Sequence, residues 1–465
     1  MERSAGKLRA GAAQGAMKLP ELLRYEMAKL EQLKPNPKNA RLHSERQIKQ
    51  IARSNDEFGS ISPIIVAPDY TIVAGHGRFA AAKLRGYLEV PVLVVEGLTP
   101  VQLRAYALAD NKLGDLSSFD TQLLIEEIEG IIADSPEFDI TTAGFVTAEL
   151  DAMTGVIRTG ELNDLDDDPA PMPPRRPVSR EGDLYDMGEH RLACGDSTKA
   201  ELIEALVGDE SARLVLSDVP FNLKIEGFAS GLGRKAHTDF AMAAGEMTYY
   251  QYVGFLRRSI TACMAHLVDG AMVLLFIDWR HAAEMLDAGR ATGLDLRNIL
   301  VWVKDNAGMG SLWRSQYELI VAFKHGNAPH VNNVQLGVHG RHRSNVLQYP
   351  GMNSGTKGRG KALEMHATVK PVALIADLIL DITNRGDIVL DPFGGSGTAI
   401  IAAEKTGRRA RLAEIDPGFV DVAIERWQAL TGGTARLAAT GQTFAEVARE
   451  RLGDAADPKE ARDDR

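Results

Sequence analysis

Asp387–Asp416 reads DIVLDPFGGSGTAIIAAEKTGRRARLAEID. An apolar run, Asp387–Leu390, ends in Asp391-Pro392-Phe393-Gly394-Gly395-Ser396-Gly397-Thr398, and a helical stretch begins at once. Glycines in such a turn let the backbone bend tightly and come close to a ligand. A second strand ends at Glu414, twenty positions after Gly394, where an acid can accept hydrogen bonds from two ribose hydroxyls. No Gly-Lys-Ser/Thr follows the glycines, which excludes a phosphate-cradling P-loop. A dinucleotide fold shares this layout, so the stretch alone leaves the cofactor open. The acid that heads the loop, Asp391, favours a cofactor with a cation. S-adenosylmethionine carries a sulfonium and an ammonium, whereas NAD presents phosphates that a carboxylate repels.

Outward from this stretch, short β-rich runs alternate with helical ones from Gly182 onward. The clearest strands are Arg191–Cys194, Ala212–Leu216, Ala271–Ile277, Leu319–Phe323, Asp387–Leu390 and Arg409–Ala413. That alternation predicts an α/β sheet with helices on both faces, in which ligands sit beyond the carboxyl ends of the strands. Upstream, ELNDLDDDPAPMPPRRPVSRE (Glu161–Glu181) is acidic and then proline-rich, and reads as a linker. Before it lies a compact α+β pattern. A helix over Ser44–Glu57 precedes strands Ile64–Ala67 and Thr71–Ala74, a helix from Arg78, a strand Val90–Val95 and a helix from Thr99. The expected division is an irregular terminus (1–28), an N-terminal domain with a helical extension (29–160), the linker (161–181), a catalytic domain (182–436), and a C-terminal helix with an acidic tail (437–465).

A second element, His366-Ala367-Thr368-Val369-Lys370-Pro371, leads into a helix just before the glycine loop. Together DPFGGSGT and HATVKP resemble the loops of DNA amino-methyltransferases of the β arrangement, in which the catalytic motif precedes the cofactor motifs. The resemblance covers about 182–432. It implies a Rossmann-like S-adenosylmethionine-dependent methyltransferase sheet, with the methionine moiety of the cofactor held by Asp391, Pro392, Phe393, Gly394, Gly395, Gly397, Thr368 and Lys370. It places the ribose at Glu414. Gly195-Asp196 matches the family's contact to the adenine amine of the cofactor, although Gly-Asp is also an ordinary turn.

The strand Ala212–Leu216 runs into Ser217-Asp218-Val219-Pro220-Phe221-Asn222. The family pattern here is Asp-Pro-Pro-Tyr, and this chain departs from it twice. An exocyclic amine is a poor nucleophile, because its lone pair is delocalised into the ring. Hydrogen bonds from it to a carboxylate and a backbone carbonyl aim that lone pair at the sulfonium methyl. Asp218 supplies the carboxylate and Val219 the carbonyl. Pro220 keeps Val219 extended, and Phe221 keeps an aromatic face for a flipped base. An aspartate at this position tilts the target towards adenine-N6, since serine there is commoner among cytosine-N4 members of the family.

The net charge of −10 argues against nucleic acid only until its distribution is considered. Between Val301 and Lys370, nine Lys or Arg face three acids, with five histidines besides. A local excess of positive charge is what a phosphate-gripping surface requires. Arg341, Arg343, Lys357, Arg359 and Lys361 are the candidate DNA contacts. Two cysteines, Cys194 and Cys263, cannot build a disulfide framework or a four-cysteine zinc site, and no metal is expected. With no apolar run of roughly 20 residues, a membrane span is not expected, and the expected compartment is the cytosol, in contact with the nucleoid.

Lys29–Leu116, through LKPNPKNARLHSE, the PIIV strand, VAGHGRFAAAKLRG and YALADNKL, resembles the N-terminal domain of ParB-type partition proteins, a superfamily shared with sulfiredoxins. Gly75, His76, Gly77 and Arg78 form the box that in partition proteins binds a nucleotide triphosphate. The second arginine usual there is Phe79 here, which puts nucleotide binding in doubt. No cysteine precedes Cys194, so sulfiredoxin chemistry is out. An accessory DNA- or nucleotide-binding domain, a nuclease and an oligomerising domain all stay open. The expected partners are double-stranded DNA, a nucleotide at this box and a second copy in a homodimer. Rival readings of the whole are a ParB-like regulator with a vestigial methylase half, a dinucleotide oxidoreductase, and a methyltransferase acting on RNA or protein.

Overall fold

The computed structural model describes residues 22–114, 116, 119–135, 138–153, 171–223, 245–307, 312–334, 343–351 and 370–453. The chain divides into two compact units, Met1–Val146 and Thr147–Arg465.

The first unit runs β1 (Leu22–Lys29), α1 (Glu45–Phe58), β2 (Ile64–Val66), β3 (Ile72–Ala74), α2 (His76–Arg85), β4 (Glu89–Glu96), α3 (Pro100–Gly114) and α4 (Thr121–Asp134). Its sheet has the order β1-β4-β2-β3, over a small core that includes Ile64, Val66, Ile72, Val92 and Val94. Ser44 caps α1 by accepting the Gln47 N–H at 3.2 Å, an N-cap of the usual kind. The irregular terminus expected over 1–28 is corrected in part. Residues 22–29 form a strand paired antiparallel with β4 along its whole length. Its pattern hides it, because Leu23, Tyr25 and Met27 are exposed and the backbone ladder, not an apolar face, secures the strand.

The second unit runs α5 (Thr147–Met153), β5 (Leu184–Met187), β6 (His190–Cys194), α6 (Ala200–Val207), β7 (Ala212–Asp218), α7 (Tyr249–Met264), β8 (Leu267–Ile277), α8 (Ala282–Ala291), β9 (Asp295–Val303), β10 (Tyr317–Lys324), β11 (Val346–Gln348), α9 (Val372–Ile382), β12 (Ile388–Asp391), α10 (Thr398–Thr406), β13 (Arg409–Glu414), α11 (Pro417–Thr431), β14 (Arg436–Leu437) and α12 (Phe444–Leu452). One ten-stranded sheet has the order β11-β9-β10-β8-β7-β12-β13-β6-β5-β14. Its centre, β8-β7-β12-β13-β6, is parallel. Strand β12 is buried throughout, as expected of a parallel strand covered on both faces. From β12 the chain crosses through α10 to β13 on one side, while from β7 it crosses through α7 to β8 on the other. The crevice at the carboxyl ends of β7 and β12 is therefore the topological switch point, where α/β sheets bind ligands.

Three expected boundaries move. The helix at 147–157, assigned to the N-terminal domain, lies as α5 in the second unit, where Asp151 pairs with buried Arg408 at 2.9 Å and with Arg385. The end of the expected linker is anchored: Asp421 accepts from Val178 N at 2.6 Å and from Ser179 N and Oγ at 3.0 and 2.6 Å. A cut after 436 would split β14, which pairs with β5. Phe444 of α12 packs edge-on against Tyr185, with centroids 5.9 Å apart, inside the main core. Short edge elements of this kind carry too little periodicity to reveal where they dock.

Candidate active site

All five central parallel strands end in or next to an acid: Asp278 after β8, Asp218 on β7, Asp391 on β12, Glu414 on β13, and Asp196 two residues past β6. The topology sets these carboxylates in a row along one edge of the sheet.

The glycine loop follows β12. Gly397 has a φ of +81° at the N-cap of α10, and a Cβ there would lie 2.7 Å from Ala423 Cβ on α11. A Cβ on Gly394 would meet Leu412 of β13 at 2.9 Å. Both positions are thus glycine for packing. Gly395, with a φ of +52°, has nothing within 4 Å of its Cβ direction, so among the described residues its face opens onto free space. Asp391 Oδ1 accepts from Ser217 Oγ at 2.5 Å and from Phe393 N at 3.0 Å. Glu414 Oε2 accepts from Gly395 N at 2.7 Å and its Oε1 from Asp416 N at 2.8 Å. Burial pushes both carboxyls up to about 7. No Lys or Arg among the described residues pairs with either, so both are left without a counter-charge, a costly state for buried Asp391 that an incoming cation relieves. This donor set suits a cationic cofactor. Asp196 sits in a turn, its Oδ1 accepting from Thr198 N and Oγ1 at 2.9 and 2.8 Å, and Gly195 N donates to the Glu414 carbonyl at 2.8 Å. The turn thus lies against the end of β13. Pro392 and Phe393 face α7, where the Phe393 ring lies 5.7 Å from that of Phe255.

Across the crevice the chemistry differs. Lys370 Nζ lies 2.5 Å from Asp218 Oδ2 and 3.1 Å from Glu318 Oε2, and Lys304 Nζ lies 2.5 Å from Glu318 Oε1. Four charges of alternating sign thus run Asp218, Lys370, Glu318, Lys304. Lys370 is 7% exposed, walled by Phe221, Phe276 and Trp302 with centroids 5.4, 5.2 and 5.9 Å from its ammonium, a favourable cation–π setting. Burial pushes the Asp218 carboxyl up, and Lys370 opposes that shift. The second oxygen, Asp218 Oδ1, is buried and has no hydrogen-bond partner among the described residues.

Val219 is buried at the start of the loop. The Pro220 carbonyl accepts from Tyr252 Oη at 2.8 Å. Asn222, at a left-handed φ of 54° that asparagine tolerates, closes the loop. Its Oδ1 accepts from Gly245 N and Met247 N at 3.1 Å each, and its Nδ2 donates to the Met247 carbonyl at 2.8 Å. Asp278 Oδ1 lies 2.7 Å from His281 Nδ1.

Of the sequence-derived candidates, Asp218, Val219, Pro220, Phe221, Lys370, Asp391, Pro392, Phe393, Gly394, Gly395, Gly397, Glu414 and Asp196 lie at or next to the carboxyl edge. Lys370, expected to hold cofactor, pairs with Asp218 and Glu318. Arg343, expected to contact DNA, pairs with Asp377 at 2.5 Å and Asp381 at 3.4 Å on α9, so its charge is spent inside the unit. Thr368, Arg341, Lys357, Arg359 and Lys361 lie outside the described residues. Glu318, Lys304, Tyr252 and Ser217 were missed. A glutamate opening an otherwise apolar strand (Glu318 before LIVAF) was the available signal.

In the first unit, Gly75 caps α2 at a φ of +100°. A Cβ on Gly77 would meet Ile51 at 2.9 Å and His43 at 3.1 Å. Arg78 Nη1 donates to the Pro63 carbonyl at 2.7 Å and His76 Nε2 accepts from Asn36 N at 3.2 Å, while Phe79 packs on the core. Burial lowers the His76 pKa, favouring the neutral ring that accepts this bond.

Fold, glycine loop and the row of acids define the second unit as a Rossmann-like methyltransferase domain. The family described as DNA methylase, of N6/N4 type, matches residues 212–425, and the ParB N-terminal domain family matches residues 18–112. The chain belongs to the ParB N-terminal domain family through its first unit, and its second unit carries a stretch similar to N6/N4-type DNA methylases. It is 38% identical over 84 residues to the ParB-like nuclease domain-containing protein YnaK of Escherichia coli, covering 18% of this chain and 97% of that one. It is 32% identical over 141 residues to the type II methyltransferase M2.MboI of Moraxella bovis, covering 29% of this chain and half of that relative's length. Among solved structures it is similar to the PvuII DNA methyltransferase (cytosine-N4-specific), with a TM-score of 0.41 and 17% identity, over 58% of this chain and 92% of that one. Among the described residues no helix is long and apolar enough to cross a membrane.

Proposed function

We propose that the chain transfers the methyl group of S-adenosylmethionine to the exocyclic N6 of adenine in double-stranded DNA. The observation that carries this reading is Asp218 Oδ1, a buried, unpartnered acceptor at the switch point, one strand away from the glycine loop. The cofactor's sulfonium and ammonium answer the stranded Asp391, and its ribose hydroxyls meet Glu414. A base swung out of the duplex places its amine between Asp218 Oδ1 and the Val219 carbonyl, with Phe221 against its ring. The lone pair then points at the methyl, and the reaction needs no covalent intermediate on the protein. Aspartate rather than serine at 218 supports adenine as the base. For the first unit we propose an accessory role in holding DNA or a nucleotide, supported by the Gly75–Arg78 turn at the head of α2.

The test is methylation of unmethylated genomic DNA by the full-length protein, followed by digestion to nucleosides and mass spectrometry. N6-methyldeoxyadenosine is the expected product. N4-methyldeoxycytidine alone would overturn the choice of base, and no methylated nucleoside would overturn the activity.

A further inference from the structure

Lys370 is nearly buried, touches Asp218 and lies against a second carboxylate, Glu318. We propose that Lys370 is a positioning residue: it pins Asp218 Oδ2 so that Oδ1 is presented to the target amine, with Glu318 holding Lys370 in place. The inference rests on the role of Asp218 given above, and adds the device that makes a half-buried carboxylate usable.

Three observations meet here. Lys370 Nζ touches only Oδ2, at 2.5 Å, and leaves Oδ1 without a partner among the described residues. A lysine ammonium is a point charge that can bind one oxygen, whereas a guanidinium fork tends to occupy both. Glu318 Oε2 lies 3.1 Å from Lys370 Nζ, and Lys304 in turn meets Glu318, so the ammonium sits between two carboxylates. Phe221, Phe276 and Trp302 wall off water and fix the approach.

The chemistry requires such a device. Only the ionised carboxylate accepts from the amine and steadies the positive charge that grows on nitrogen as the methyl arrives. In a dry crevice the acid would take up a proton, and a protonated carboxyl no longer serves. The groups that face Asp218 are Lys370, then Glu318 and Lys304 behind it, Asp391 across the crevice and Tyr252 from α7, with Asp278 and its His281 and Arg280 partners near that tyrosine. Among these, Lys370 is the cation in contact, and Glu318 is the anion that moderates it.

The two neighbours therefore act on Asp218 with opposite sign, and the pH profile of turnover reads this directly. Lys370→Met removes the cation, and the acidic limb of kcat should move up by about 1–3 pH units, with a large loss of kcat at neutral pH. Glu318→Gln removes an anion, and the limb should move down, with a loss of kcat of roughly tenfold or less as Lys370 loosens. A merely structural role would lower activity without opposite shifts. Full-length variants would be assayed with radiolabelled S-adenosylmethionine on pooled unmethylated genomic DNA, with cofactor affinity measured separately by calorimetry. Affinity is expected to stay near that of the parent. Shifts in the same direction, or none, overturn the inference, as does lost cofactor affinity with unchanged kcat at saturation, which would make Lys370 a cofactor ligand. Should Lys370→Met fail to fold, the downward shift in Glu318→Gln decides alone. Full activity in Asp218→Ala would instead defeat the underlying assignment of the acceptor.

Discussion

The two halves of the carboxyl edge are lined by the same chemical group and treat it in opposite ways. On β12 and β13, Asp391 is buried and Glu414 half-buried, with hydrogen-bond donors but no cation among the described residues, and desolvation lifts both to about 7. On β7 and β10, Asp218 and Glu318 are half-buried with Lys370 and Lys304 in contact. A site that leaves its acids uncompensated is completed by a ligand that brings positive charge. A site that neutralises its acids internally and leaves one oxygen bare is completed by a neutral hydrogen-bond donor. A sulfonium cofactor and an uncharged base amine are such a pair, and the proposed function assigns one to each half.

The sharpest way to break that comparison is to remove the bare acceptor. Asp218→Ala should lower kcat by on the order of 10²–10³, as comparable losses of a transition-state partner do. Lys370 retains Glu318, and calorimetry should find cofactor affinity nearly unchanged. A variant with parental turnover would end the distinction between the two halves.

Removing a stranded acid should act on the other half alone. Asp391→Asn should weaken S-adenosylmethionine by roughly 10- to 100-fold, the range of a charge-assisted contact. The pH dependence has a definite sign. The ionised carboxylate binds the cation, so affinity in the parent should fall as pH drops below about 7, and the asparagine variant should lose that dependence. The ligand-free protein shows the converse. A folded-state pKa raised from 3.8 to about 7 means that the folded form holds the proton longer than the unfolded chain. That stability is present at low pH and is lost as pH rises through this window. The gain in Tm from added cofactor should therefore be larger at pH 8 than at pH 6, measurable by calorimetric melting.

The glycine loop separates packing from binding. Gly397→Ala forces a Cβ into Ala423 at a left-handed φ and should cost about 1–3 kcal/mol of stability. Gly395→Ala also carries strain, but its Cβ enters open space, so its loss should fall more on cofactor affinity than on Tm. Thermal melts and calorimetry on the pair distinguish the two; equal profiles would show that Gly395 does not face the ligand.

Much of this was legible in the sequence for a physical reason. The central strands, the glycine loop and the acid at the end of each are local patterns, set by the contrast between apolar runs and the residues that stop them. What escaped was set by contacts between distant segments. Lys370 lay in a motif that suggested cofactor, and only the pairing of β10 with β8 and β9 brings Glu318 to it from 52 positions away. Arg343 counted as a free positive charge until α9 supplied Asp377 and Asp381. Strand β1 was hidden by an inverted pattern, and the anchoring of Val178 and Ser179 depends on Asp421, more than two hundred residues on.

The smallest effect should come from restoring the proline that the family pattern carries. Val219 lies between Asp218 and Pro220, and its side chain belongs to the buried cluster that includes Val215, Tyr252, Phe255 and Leu256. A following proline already biases Val219 to extended backbone, so Val219→Pro restricts a conformation the residue favours. The carbonyl that would face the amine is retained, and Tyr252 still holds the Pro220 carbonyl from α7. Loop geometry is further fixed by Asn222, which bonds to Gly245 and Met247. The lost valine methyls should cost about 1 kcal/mol of packing, partly offset by reduced freedom of the unfolded chain. Turnover should stay within about threefold of the parent, since the barrier then changes by less than 1 kcal/mol. A loss of a hundredfold or more would show that the valine backbone adopts a shape proline cannot. The target half of the edge would then present its amine acceptors in a geometry of its own.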